Sequence, residues 1–222
     1  MRDEVKVEVL PARIHGRYLV RNAVGDSRGL LVAFHGYGMS AAGMLEEIER
    51  IPEIETWTVV SVQGLHRFYD SRSREVVASW MTRQDRELAI ADNIDFVNDV
   101  VGRVLDSIAS TGPLVLVGFS QGTAMTYRAA AGIDAPCQGV VALGGDVPPE
   151  LAHRDQRPCW RAMIGRGLAD EWYGEDKVEA DLELLTTLGC EAEVVRFTGG
   201  HEWTEEFRSH CQRFLASLAA AA

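Results

Sequence analysis

Apolar residues along this chain follow two alternating periods. Short, nearly uninterrupted apolar runs occupy residues 29–34, 57–62, 114–117, 139–143 and 160–164, each bounded by glycine or polar residues. Runs of that length suit strands buried on both faces, as inside a parallel sheet. Residues 193–197 supply the last such strand. Between the runs the spacing widens to that of a helix. Ile90, Ile94, Val97, Val101, Val104 and Ile108 draw one apolar stripe along a long helix that stops near Gly112-Pro113. Val178, Leu182 and Leu185 mark a second helix, and Phe207, Cys211, Phe214 and Leu218 a closing one. At the start, Val5, Val7 and Val9 alternate with charged residues ahead of Pro11, and Tyr18-Leu19-Val20 forms another extended run. Residues 1–22 therefore read as two antiparallel edge strands.

Strand and helix take turns without an internal repeat or a Pro/Gly/Ser-rich linker. That alternation predicts an α/β fold with a mainly parallel central sheet, helices on both faces, and functional groups at the carboxyl ends of strands. A length of 222 residues suits one core, so a single domain over 1–222 is expected, with Ala219-Ala220-Ala221-Ala222 as a frayed tail.

A 46% hydrophobic and 25% charged composition is that of a folded protein. The formal net charge of −11 repels phosphate backbones and anionic headgroups, which argues against nucleic acid and against stable membrane association. No apolar run reaches the length of a membrane span, and Met1-Arg2-Asp3-Glu4 is acidic where a secretory leader would be basic, so a cytoplasmic location is expected. Cys137, Cys159, Cys190 and Cys211 are scattered, with no CxxC pair and no histidine spaced to complete a zinc site. They read as mostly buried thiols, and none lies in the glycine-flanked turn that a nucleophile needs. Neither a metal nor a cofactor is expected.

The chemistry concentrates around Gly118-Phe119-Ser120-Gln121-Gly122, which follows a valine-rich strand and precedes a helix-forming segment. A tight strand-to-helix turn of this kind lifts a serine hydroxyl above the sheet, and the helix start beneath it supplies free N–H groups. A serine hydroxyl is a weak nucleophile and needs a base that is itself held by a carboxylate. His201 is the best base, since it lies between the last strand and the last helix; His15, His35, His66, His153 and His210 are its rivals. Asp170, past the run ending at Ile164, is the best carboxylate, with Glu171 and Asp146 as rivals and a helix cap as its plain structural role. Two N–H groups are then needed for the oxyanion. The amide of Gln121 is one, and that of Tyr37, in the turn His35-Gly36-Tyr37-Gly38 after the first buried run, is the candidate for the other.

The order Ser120, Asp170, His201 is the one found in α/β-hydrolases. With HGYG at 35–38, SWM at 79–81, GFSQG at 118–122, the aspartate at 170 and GGHEW at 199–203, the chain resembles the phospholipase/carboxylesterase family of that fold from about residue 29 to 218. The resemblance implies an α/β-hydrolase without a large cap domain, hydrolysis of carboxylic esters or thioesters, a triad of Ser120, Asp170 and His201, and an oxyanion hole from the N–H groups of Tyr37 and Gln121. Two departures touch the substrate pocket. Asp170-Glu171-Trp172-Tyr173 stands where members carry Asp-x-x-Val-Pro, and Trp80-Met81-Thr82 replaces Trp-Phe-Asp.

The long aromatic stretch 64–81 suits either a pocket wall or a surface loop anchored by its rings, so Phe68, Tyr69, Trp80 and Met81 are candidate substrate contacts, together with Trp203. The expected substrate is a small or medium soluble ester. A thioesterase, a lysophospholipase and a non-catalytic small-ligand receptor stay open as alternatives, and so does a homodimer.

Overall fold

The computed structural model describes residues 5–108, 112–153 and 160–221, leaving Cys159, the first four residues and Ala222 outside. Nine strands and five helices carry the architecture within those residues. In chain order they are β1 (Tyr18–Arg21), β2 (Leu30–Phe34), α1 (Ala41–Glu49), β3 (Thr58–Val62), β4 (His66–Tyr69), β5 (Val76–Ser79), α2 (Arg86–Ser107), β6 (Leu114–Phe119), α3 (Gln121–Gly132), β7 (Gly139–Leu143), β8 (Arg161–Gly167), α4 (Glu175–Thr187), β9 (Ala192–Phe197) and α5 (Glu205–Ala219). Seven strands form one sheet in the order β1-β3-β2-β6-β7-β8-β9. Only β1 runs antiparallel to its neighbour.

Register explains why the central strands read as unbroken apolar runs. Val60, Val32, Leu116, Val140 and Ala162 lie side by side across the sheet and face one core, where they meet α2, α3 and α4. One residue along, Ala33, Val117, Val141 and Met163 point the other way, into a second core closed by α1 and α5. Both faces are covered, so both residue sets of each strand are apolar. The stripe from Ile90 to Ile108 becomes α2 as far as Val104, with Val97, Val100, Val101 and Val104 buried; the helix ends at Ser107, short of Gly112-Pro113, and Ile108 is its extended cap. Two helices begin on side-chain caps: Ser40 accepts the N–H of Gly43, and Thr204 accepts that of Phe207.

Three expectations are corrected. Val5, Val7 and Val9 form no strand and stand exposed, Val5 at 89% and Val7 at 83%, because an alternating pattern makes a strand only where an edge accepts it. The edge of β3 is taken by Tyr18–Arg21, whose Tyr18 packs on the core. The alanine tail is not frayed over Ala219 to Ala221. Ala219 closes α5, and the N–H groups of Ala220 and Ala221 bond to Ala216 and Leu218. Within 64–81 lies a β4–β5 hairpin rather than an irregular loop. Helix α1 had no counterpart in the sequence reading; its buried stripe is only Ala41, Met44 and Ile48. No helix among the described residues is long and apolar enough to cross a membrane.

Candidate active site

Ser120 caps β6 and starts α3 at φ 53°, ψ −119°, a conformation that costs energy for a residue with a Cβ. Its N–H bonds to the Leu143 carbonyl at 2.8 Å, and its carbonyl accepts the Thr123 N–H at 3.0 Å. Gly122 lets the helix start press onto the end of β2, since a Cβ there would collide with the Phe34 carbonyl oxygen. The serine is thereby fixed at the carboxyl end of the sheet, between β2 and β7.

Asp170 follows β8 by three residues and is almost wholly buried. Its Oδ1 accepts the N–H groups of Trp172 at 2.8 Å and Tyr173 at 3.0 Å, and its Oδ2 accepts from Nδ1 of His201 at 2.8 Å. A carboxylate can only accept, so Nδ1 of His201 supplies the proton of this bond, and Nε2 is the ring nitrogen left outside it. The His201 ring packs on Phe119 at 5.0 Å between centroids. Gly144, at φ +65°, makes room for the pair: a Cβ there would lie 2.9 Å from His201 Cε1 and 3.3 Å from Asp170 Oδ2. Ser120 and His201 line one cleft of about 270 Å³, with Gln121, Ala124, Gly144, Gly145, Asp146, Trp172 and Lys177.

The two oxyanion candidates flank the same serine. Gln121 is the first residue of α3, where an N–H has no carbonyl one turn earlier to bond. The HGYG turn is pinned by the Gly38 N–H on Ala78 O at 3.0 Å and the Met39 N–H on Gly36 O at 3.2 Å. A Cβ on Gly36 would come within 3.4 Å of Ser120 Cβ, and the Tyr37 N–H meets no acceptor among the described residues.

Trp80 is a correction. It is fully buried, its Nε1–H donates to the His35 carbonyl at 2.8 Å, and its ring packs 4.9 Å from His35 and 5.5 Å from Phe34. It holds up the HGYG turn from beneath and offers no face to a substrate. The Gln121 side chain ties the same segment to α3, with its Oε1 accepting the Trp80 N–H at 3.1 Å and its Nε2 donating to Ser79 Oγ at 3.1 Å. Met81 is half-buried against the core with its sulfur 3.7 Å from Arg128 Nη1. Trp203 is buried between Phe119 and Phe207. Phe68 stacks on the Tyr37 ring at 5.5 Å, and Tyr69 is exposed. None of these five lines the cleft around Ser120.

The cleft wall is Trp172, 76% exposed, with Lys177 and Asp146, whose side chains pair at 3.3 Å. Trp172 is not among the wall residues expected from the sequence; its signal there is its place in Asp170-Glu171-Trp172-Tyr173, where the family pattern breaks. Among the rivals, His35 is buried and accepts the Gly64 N–H on Nε2 at 3.0 Å, so its Nδ1–H donates to the Gly36 carbonyl at 2.7 Å. Burial holds its pKa below the usual histidine value, so it is neutral and fully engaged. His66 lies on β4 and His210 within α5. Cys137 and Cys211 are buried and Cys190 half-buried, and burial pushes the Cys211 thiol up. Among the described residues, no three His, Cys, Asp or Glu side chains gather where they could hold a metal ion.

The fold and the order of these residues define a class, the α/β-hydrolases. Within it the chain belongs to the phospholipase/carboxylesterase family, whose model matches residues 16–217. That match makes it a hydrolase by family and begins 13 residues earlier than the sequence motifs suggested, 29 against 16. Its fold is similar to that of esterase PE8, at 20% identity and a TM-score of 0.73 over 92% of this chain and 100% of that one. It is also similar to the Bacillus cereus carboxylesterase, at 15% identity and 0.73 over 91% and 94%. The Zea mays acyl-protein thioesterase 2 is similar at 16% identity and 0.72 over 92% and 100%. No curated protein matches the chain in sequence.

Proposed function

We propose that the chain is a serine carboxylesterase acting on small or medium soluble esters through an acyl-enzyme. The observation that carries this is the buried Asp170–His201 hydrogen bond, 2.8 Å long, on the rim of the cleft that also holds the strained Ser120 turn. In this reading Ser120 Oγ attacks the ester carbonyl while His201 Nε2 takes its proton, and Asp170 stabilises the imidazolium that forms. The carbonyl oxygen becomes an oxyanion held by the N–H groups of Tyr37 and Gln121. Collapse breaks the bond to the leaving alcohol, which receives the proton from His201. A water activated by the same imidazole then attacks the acyl-serine, releasing the acid and restoring Ser120.

The test is labelling by a fluorophosphonate followed by turnover of a short-chain aryl ester. Stoichiometric labelling at Ser120 is expected, with loss of both labelling and turnover in Ser120→Ala while its circular dichroism is unchanged. Turnover that survives in Ser120→Ala would sink the reading, and a wild-type chain that neither labels nor turns over would point to a non-catalytic receptor. A series of esters and matching thioesters of graded acyl length then separates esterase from thioesterase.

A further inference from the structure

We propose that Asp181 is a positioning residue for the Asp170–His201 pair, its carboxylate clamping the cleft loop after β7 with one oxygen and the turn that carries Asp170 with the other. This rests on the serine-hydrolase reading above. Asp181 lies in the middle of α4 and is 6% exposed. Its Oδ1 accepts the Val147 N–H at 3.0 Å, and its Oδ2 accepts the Tyr173 hydroxyl at 2.7 Å.

Each bond ends one step from the catalytic pair. Val147 closes the loop in which Gly144 packs against both His201 and Asp170, and in which Asp146 lines the cleft. Tyr173 is buried, and its own N–H is one of the two that hold Asp170 Oδ1. This tyrosine stands where the family pattern has a different residue, so the linkage is built from the departure noted in the sequence.

A carboxylate at such a place is costly, because burial penalises its charge and pushes its pKa up to about 6. The groups facing it are Tyr173 on the Asp170 turn, Asp146 on the β7 loop, Lys177 one turn earlier on α4, and Tyr127 on α3. A folded-state pKa above the ordinary 3.8 means that the folded chain binds a proton more readily than the unfolded one, so keeping Asp181 charged at neutral pH costs stability that acid restores. Neutralising Asp181 should therefore not weaken the fold. It should weaken the clamp: a neutral carboxyl accepts the Tyr173 hydroxyl more weakly than a carboxylate does, and an Oδ2 that carries the proton can donate to the Tyr173 oxygen and reverse the bond that steadies the Asp170 turn.

Asp181→Asn reproduces that neutral form, since its amide can accept from Val147 and donate to Tyr173. Per labelled serine, we expect its kcat on an aryl ester at pH 8 to fall about tenfold, with KM within about twofold and Tm unchanged or raised. Tyr173→Phe should lose kcat similarly. The acid limb of kcat in the wild type should carry one proton step more than that of Asp181→Asn, the extra step lying near pH 6.

Independently of turnover, the downfield proton resonance of His201 Nδ1–H should show, besides the step of the imidazole itself, a second step near pH 6 in the wild type that is missing in Asp181→Asn. Wild-type kcat together with an unchanged resonance in Asp181→Asn would overturn the proposal, as would a kcat loss matched by a fallen Tm, which would mark a merely structural residue. A wild type without esterase activity would defeat the hydrolase reading instead, and the resonance would still decide whether Asp181 acts on the His201–Asp170 pair.

Discussion

Gly144 shows how little room the Asp170–His201 pair has. Its φ of +65° is one that a side chain rarely adopts, and a Cβ would press on His201 and Asp170 at 2.9 and 3.3 Å. Gly144→Ala should therefore misplace the imidazole, lowering kcat by about 100-fold while KM changes little and Tm falls by no more than a few degrees. Steady-state kinetics at saturating ester check this; near-wild-type kcat would show that the pair tolerates the shift. The positions of Ser120, Asp170 and His201 were legible because each follows a buried apolar run whose carboxyl end the sheet brings to one edge. The wall was not. Trp80 and Trp172 are equally aromatic and equally loop-borne in sequence, and what separates them is the Trp80 Nε1–H bond to a carbonyl 45 residues away. Periodicity carries no information about such a partner.

Among the elements, those with long stripes or unbroken apolar runs were legible, and those with short stripes were not. Helix α1 shows only three buried positions, and Gly43 interrupts the pattern between them. The β4–β5 hairpin has four-residue strands, too short for alternation to stand out. Its turn did leave a local sign in Asp70, whose Oδ1 accepts the N–H groups of Arg72 at 2.9 Å and Ser73 at 2.7 Å. The amino-terminal arm errs in the opposite direction, a clear period of two that pairs with no strand. Its apolar side chains remain in water, so it contributes little to stability. A chain starting at His15 keeps the His15 carbonyl for Arg67 and the Arg17 carbonyl for the Gln63 N–H. It should melt within about 3 °C of the full chain by calorimetry and keep its kcat; a drop of 10 °C would mean that the arm packs after all.

Two cores flank one sheet, and whether they unfold together decides whether 1–222 behaves as one domain. Helices α2, α3 and α4 close one core, α1 and α5 the other, yet adjacent residues of the same strand serve both: Val32 and Leu116 face the first, Ala33 and Val117 the second. Opening either core strips one face of β2, β3, β6, β7 and β8, and the opposite face loses its backing in the same event. Leu185→Ala on α4 and Phe214→Ala on α5 remove buried side chains from opposite cores. They should lower stability by about 2–5 and 3–5 kcal/mol respectively, each by moving one common denaturation transition. Tryptophan reports on both sides, with Trp57 in the second core and Trp80 and Trp160 in the first. Single-tryptophan versions of each variant should give a midpoint that coincides with far-ultraviolet circular dichroism. A variant in which only the tryptophans of its own core move to lower denaturant would show two separable units and overturn the one-domain reading.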